Sequence, residues 1–446
     1  MVHNQTKASY RPAFAIDSFF NFATQLLIFA LSFITSIIIA RTLGPEGKGV
    51  YSLVLLVPTL GASIISMGIN SANIYYIGQK TFPINRIVGN AITYSLCLGT
   101  TITFLLLFSE PLIKKYFLNN DPHFYLYLTI PMLPFLLIAE NIHYALLACR
   151  KMIKLGALRL IRPFIYASFL VLFWYLTKLS VYNVILANIF GLLTAILLGL
   201  YFLVKNSYFT GLLFDKTIFR HTIEFGSKQH LGTVFQLLNY RVDMLIIAAL
   251  LTNADLGLYS ISVLIAEIIW YLPSSVGQIL YVKIAAETTE SADHFTPLIA
   301  RSIILIVLLA CVLLYAVSDI IIPWLFTSSF YPSVMALKLL LPGILCLSIS
   351  KVLGSDLIGR GFPQYSTIAA GISLIATVIF DLLLIPLMGI NGAALASTIA
   401  YCINALVLIY FFRIRSNVSL REIFLLKKED FTEYARVLKT LIQSPY

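Results

Sequence analysis

Polar side chains recur at helical spacing within stretches that are otherwise apolar. Gln229, Thr233, Gln236, Tyr240 and Asp243 advance by steps of four and three, and Glu267, Tyr271, Ser274, Gln278 and Tyr281 repeat those steps. Subtracting 208 from the second set gives a further polar row, Thr59, Ser63, Ser66, Asn70 and Asn73. Asp17, Asn21, Gln25, Ser32 and Thr35 form a similar, less regular face. Such spacing places each set on one side of a helix. Amides, hydroxyls and phenols there can either line a water-filled cleft or hydrogen-bond between helices, at about 0.6 kcal/mol per bond in lipid. Buried Asp and Glu are costly as mere glue, which favours the cleft.

Arg241, Asp243, Glu267, Lys351 and Asp381 fall inside the apolar stretches. A charge at mid-bilayer costs roughly 2.5–3.5 kcal/mol or more, so each needs a partner, water or a ligand. Arg241 and Glu267 lie at matching depths, and Arg241 sits off the Gln229–Asp243 stripe, which suggests an ion pair. Both also remain cleft candidates. Lys351 has no charged residue three or four positions away, as befits a cation facing an anionic substrate. Asp243, Glu267 and Asp381 are candidates for coupling to H+ or Na+. The five cysteines form no Cys-x-x-Cys pair and the six histidines show no ligand spacing, so no disulfide framework, metal site or cofactor is expected. No catalytic cluster stands out.

The elements carrying these residues must be membrane spans. Lys, Arg, Asp and Glu make up 11% of the 446 residues, against about 25% in soluble domains. The hydrophobic fraction is 59% and the mean hydropathy +0.90. About 20 apolar residues cross the hydrocarbon, and twelve such runs are present: 15–40, 50–78, 86–109, 124–149, 155–177, 181–204, 227–251, 256–282, 298–326, 333–358, 365–388 and 390–412. Unpaired backbone is not tolerated in lipid, so these are helices. With both termini cytoplasmic, 23 of the 31 Lys and Arg fall on the inner side and 6 on the outer. That sorting by loop explains the +11 net charge without nucleic acid. The outer connections are short, which disfavours a membrane glycan polymerase or transferase.

The expected organisation is a cytoplasmic N-terminal segment (1–14), an N-lobe (15–204), a cytoplasmic linker (205–226), a C-lobe (227–412) and a basic tail (413–446). Ser419 to Glu422 fits a capping box. The tail beyond it has the spacing of an amphipathic helix on an anionic inner leaflet. Residues 37–53 match residues 245–261 at an offset of 208, with 7 of 17 positions identical. Six spans per half, each half starting on the same side, makes the repeats parallel. The expected fold is therefore all-α and polytopic: two pseudo-twofold-related six-helix lobes flank a central cleft and work by alternating access.

Ile39-Ala40-Arg41-x-Leu43-Gly44-Pro45-Glu46-x-x-Gly49-Val50-Tyr51-Ser52 resembles the opening signature of Wzx-type polysaccharide flippases, a branch of the multidrug/oligosaccharidyl-lipid/polysaccharide superfamily. Leu357-Ile358-Gly359-Arg360-Gly361, Leu384-Ile385-Pro386-x-x-Gly389-Ile390-x-Gly392-Ala393-Ala394 and Lys427-Lys428-Glu429-Asp430-Phe431 are similar to later blocks of that group. The resemblance implies a MATE-like architecture in a bacterial inner membrane. It also implies translocation of an undecaprenyl-pyrophosphate-linked oligosaccharide (an O-antigen, capsule or exopolysaccharide repeat unit) from the inner to the outer leaflet. On that basis Asn21, Gln25, Asn70, Asn73, Gln229, Gln236 and Gln278 are expected to hydrogen-bond sugar. Tyr240, Tyr271 and Tyr281 are expected to stack on it, and Lys351, with Arg241, to attract phosphate. Other polysaccharide assembly proteins are expected partners. The alternative within the same superfamily is a cation-coupled drug or small-molecule antiporter.

Overall fold

The computed structural model describes residues 2–109, 123–286, 289–416 and 418–425. Among them the regular structure is helical: α1 (Val2–Ile65), α2 (Ile69–Gln79), α3 (Ile84–Phe108), α4 (His123–Thr129), α5 (Met132–Ala148), α6 (Met152–Leu176), α7 (Val181–Lys205), α8 (Lys216–Asn239), α9 (Val242–Leu250), α10 (Asn253–Ala286), α11 (Thr289–Phe326), α12 (Ser333–Gly359), α13 (Pro363–Met388), α14 (Ile390–Arg415) and α15 (Leu420–Phe424).

Among the described residues ten helices are long and apolar enough to cross a membrane, and the bent pair α8/α9 makes an eleventh. The twelfth is hidden in α1. Its stretch Thr24–Ile65 has 42 residues, about 63 Å of helix against roughly 30 Å of hydrocarbon. Gly44 breaks it with φ 66° and ψ −175°, a backbone conformation that side chains other than hydrogen disfavour. Lys48 Nζ donates to Ser36 Oγ at 3.1 Å. In an unbroken helix those residues would stand about 18 Å apart, so the two arms bend toward each other at Gly44. Counting the two arms of α1 separately gives twelve candidate spans among the described residues, the number of apolar runs in the sequence.

Three boundaries differ from the sequence reading. The second span is not one helix over 50–78: it breaks at Ser66–Gly68, where Met67 (φ 46°) and Gly68 (φ 72°) are left-handed. The seventh starts before 227, inside the expected linker, because Asp215 Oδ1 accepts the Thr217 and Ile218 amides at 2.9 and 3.2 Å and so starts α8 at Lys216. It then bends by 44° between His230–Asn239 and Val242–Leu250.

The chain divides into two compact units, residues 1–234 with 252–257 and residues 235–251 with 258–446. The division falls within α8. In the first unit α5 is central. Leu133, Leu137, Ile142 and Leu146 pack against Leu192, Ile196 and Leu203 of α7, Leu155 and Leu158 of α6, and Val88 and Ile92 of α3. In the second unit α12, α13 and α14 pack closely, with Ala393, Ala396 and Ala400 fully buried on α14. Small residues suit this setting: lipid removes the hydrophobic drive between helices and leaves close backbone approach as the main attraction. Ser419 N–H donates to Glu422 Oε2 at 3.1 Å, forming the predicted capping box. The amphipathic tail expected beyond it lies outside the described residues.

Candidate functional site

The first unit holds a polar cluster at mid-span. Arg159 and Arg162, one turn apart on α6, stand about seven and ten residues inside the helix, some 10–15 Å from its start. Arg159 donates to Gln25 Oε1 on the first arm of α1. Arg162 Nη2 reaches Asn188 Oδ1 at 3.5 Å, and Tyr51, Tyr166 and Glu140 lie within its electrostatic reach. Tyr51 and Tyr166 join their hydroxyls at 2.9 Å. A guanidinium has five N–H donors, yet Arg162 makes only that one long hydrogen bond and no ion pair among the described residues. Spare donors on a half-buried cation are what an anionic ligand requires.

In the second unit Lys351 on α12 has its ammonium over two rings, 5.0 Å from the Tyr240 centroid and 5.7 Å from that of Trp270. The rings lie 4.7 Å apart, and Gln236 Nε2 donates to the Tyr240 hydroxyl at 3.0 Å. Ring faces attract the cation but accept no conventional hydrogen bond. Among the described residues the Lys351 N–H groups have no hydrogen-bond acceptor, so Lys351 too can serve an anion. Arg241 and Glu267 pair at 2.9 Å, as their matched depths predict.

A second cluster in this unit is acidic and buried. Asp243 is 2% exposed: its Oδ1 accepts the Met244 amide at 2.7 Å, and its Oδ2 accepts from the Tyr259 hydroxyl at 2.5 Å and Ser397 Oγ at 3.3 Å. Asp381, 0% exposed, lies within electrostatic reach of Asp243, and among the described residues neither of its carboxylate oxygens has a hydrogen-bond partner. One turn earlier on α13, Thr377 Oγ1 donates to Asn239 Oδ1 at 2.5 Å, and Asn239 Nδ2 donates to Ser373 Oγ at 2.8 Å. Two buried carboxylates among hydroxyl and amide oxygens form an environment for a small hard cation or a shared proton.

The family model of a polysaccharide biosynthesis protein matches residues 38–335, two thirds of the chain. The chain belongs to that family. No curated protein matches it. Among solved structures, this member of the polysaccharide biosynthesis family is similar to a lipid II flippase, MurJ, in an inward closed conformation (TM-score 0.77, 16% identity, covering 96% of this chain and 93% of that one). It is also similar to an inward-facing multidrug resistance MATE family transporter of the MOP superfamily (0.68, 16%, 87% and 94%). A third likeness is to a MOP superfamily transporter from Pyrococcus furiosus described as having a binding pocket of reverse polarity (0.61, 16%, 90% and 94%). These likenesses establish the expected MATE-like fold.

The helix breaks redistribute the predicted stripes. Asn73 turns inward: its Nδ2 donates to Asn141 Oδ1 at 3.1 Å, and Asn141 passes the chain on to Ser95 Oγ at 2.9 Å. It holds α2 to α5 and α3 and is not a surface group. Asn70 Nδ2 donates to Glu140 Oε2 at 3.0 Å. On α8 Gln236 is exposed, but the bend carries Asp243 into the interior, so the seventh-span stripe does not lie on one surface. Tyr271, Gln278 and Tyr281 on α10 are each exposed. The side chains of Asn21 and Gln229 lie outside those described.

The sequence reading missed Arg159 and Arg162 by counting them with the inner loop. They belong to the span, because α6 begins at Met152 and carries them inward. Lys48, counted with the outer side, is only 7% exposed.

Proposed function

We propose that this protein is a flippase that carries an undecaprenyl-pyrophosphate-linked oligosaccharide from the inner to the outer leaflet of a bacterial plasma membrane. The cargo would be a repeat unit of O-antigen, capsule or exopolysaccharide, and the cycle one of alternating access with both termini cytoplasmic. One observation carries the reading: a multi-span member of a polysaccharide biosynthesis family holds two mid-span cations, Arg162 and Lys351, whose N–H donors are largely unclaimed. A phosphate at either cation would supply what it lacks, since charge-assisted hydrogen bonds from Arg and Lys to phosphate are short and strong.

The physical task is to move a large hydrated headgroup through hydrocarbon while the prenyl chain stays in lipid. Neither step needs covalent chemistry. Tyr240 and Trp270 offer ring faces to sugar, and Gln25, Gln236 and Gln278 offer amides. Asp381 and Asp243, with Thr377, Asn239 and Ser397 around them, would hold a coupling Na+ or H+ and offset two buried negative charges. Glu267 is the counter-ion of Arg241 in this scheme. The same two cations weigh against export of cationic drugs, which they would repel.

Deleting the gene tests the assignment. Lipid-linked oligosaccharide should accumulate at the cytoplasmic face while the outer-leaflet pool falls. A normal outer pool would reject the flippase reading.

A further inference from the structure

Glu140 on α5 lies at the junction of two networks in the first unit. Toward α6, its carboxylate is within electrostatic reach of Arg162 without forming an ion pair inside 4 Å. Toward α2, it accepts the 3.0 Å hydrogen bond from Asn70 Nδ2. Asn70 sits in the first turn of α2, just beyond the left-handed residues Met67 and Gly68. Its other amide atom, Oδ1, is buried with no partner among the described residues, so its position is held through Nδ2.

That turn is latched to α8. Gly68 passes so close to Gly226 that a Cβ on either would overlap the other's backbone. A His230 ring nitrogen lies 2.8 Å from the Ile64 carbonyl, and Tyr75 stacks on Phe225 at 4.5 Å. Up to Val234, α8 belongs to the first unit, and from Phe235 onward to the second. Whatever loosens the Ser66–Gly68 turn therefore frees a helix that continues into the other unit.

We propose that Glu140 is a positioning residue for anion binding. It is the resident counter-charge of Arg162, yields that cation to an incoming phosphate, and transmits the exchange through Asn70 to the turn that latches α2 to α8. The proposal rests on the phosphate reading above. A phosphate at Arg162 both removes the attraction that holds the Glu140 carboxylate and adds a like charge beside it. The carboxylate then moves or takes up a proton, and either change weakens its bond to Asn70. An amide already lacking one partner, next to two left-handed residues, is a weakly held point at which a helix start can open.

Inorganic pyrophosphate is a suitable probe for the full-length protein in detergent, with binding measured by calorimetry and opening by hydrogen exchange over residues 64–80 and 219–230. Wild type should bind and exchange faster when bound. Glu140→Gln keeps an acceptor for Asn70 but removes the competing charge, so it should bind roughly 3- to 10-fold tighter and lose the exchange response. In a flipping assay the same variant should show KM and kcat both lowered, a split that loss of fold does not produce. Asn70→Ala should bind normally yet lose the exchange response, and Glu140→Asp should restore part of the wild-type behaviour. Wild-type affinity and response in both Glu140→Gln and Asn70→Ala would overturn the relay while leaving the phosphate reading intact. Undiminished binding in Arg162→Gln would overturn the relay, and absence of binding in wild type would overturn both.

Discussion

Gly49 and Gly257, separated by the repeat offset of 208 residues, hold reciprocal positions. A Cβ on Gly49 would overlap the Asn253 carbonyl, and a Cβ on Gly257 would overlap the Pro45 carbonyl. Asn253 is itself the repeat equivalent of Pro45. The duplicated segments therefore meet through a self-complementary contact, as a local twofold relation demands. Gly49→Ala and Gly257→Ala should each destabilise the protein by about 1–3 kcal/mol through overpacking. The double variant should cost less than their sum, because both act on one seam. Gly78, with open space around it, is the control. Thermal melts in detergent check this, and full additivity would argue against a shared contact.

The ion pair Arg241–Glu267 predicts an asymmetric response. Glu267→Ala leaves a mid-span guanidinium without its carboxylate and should cost about 2–3 kcal/mol. That is below the roughly 3–5 kcal/mol of a fully buried pair, since the Arg241 side chain is 30% exposed. Arg241→Gln with Glu267→Gln together should recover most of the loss. Denaturation of the two variants would show whether the pair is structural or whether, against expectation, Glu267 alone is dispensable.

Much of the architecture can be read in the sequence because lipid imposes a simple length rule and because the halves still match. The Arg241–Glu267 pair was legible for the same reason: equal depth in adjacent spans brings charges together. The breaks were not legible. Neither the bend at Tyr240–Arg241 nor the left-handed Met67 is marked by proline, so tertiary packing decides them. Arg159 and Arg162 were hidden because a loop census assigns any cation near a span edge to water, whereas α6 starts early enough to bury them. The convergence of Asp243, Asp381 and Ser397 joins the seventh, eleventh and twelfth spans, and no local pattern announces it.

Trp270 provides an optical test of the aromatic site. It is half-buried beside Lys351, while Trp174 and Trp324 are 61% and 70% exposed. Adding a water-soluble repeat-unit oligosaccharide should change tryptophan emission in wild type, and Trp270→Phe should abolish the change. A persisting signal would move the sugar site away from these rings.

The unpartnered Asp381 carboxylate predicts cation-dependent stability. Na+ at about 100 times its dissociation constant should add roughly 2.7 kcal/mol to the wild type and nothing to Asp381→Asn. Stabilisation by acid with no response to Na+ would identify H+ as the coupling ion. An Asp381→Asn variant that responds to Na+ like wild type would exclude this site.

The most direct measurement is transbilayer exchange in reconstituted vesicles containing a fluorescent prenyl-pyrophosphate oligosaccharide. The purified protein should speed appearance of the headgroup at the opposite face, and Arg162→Gln and Lys351→Gln should each slow it by roughly tenfold or more. Exchange no faster than in protein-free vesicles, with a correctly folded protein in the membrane, would contradict the proposed function.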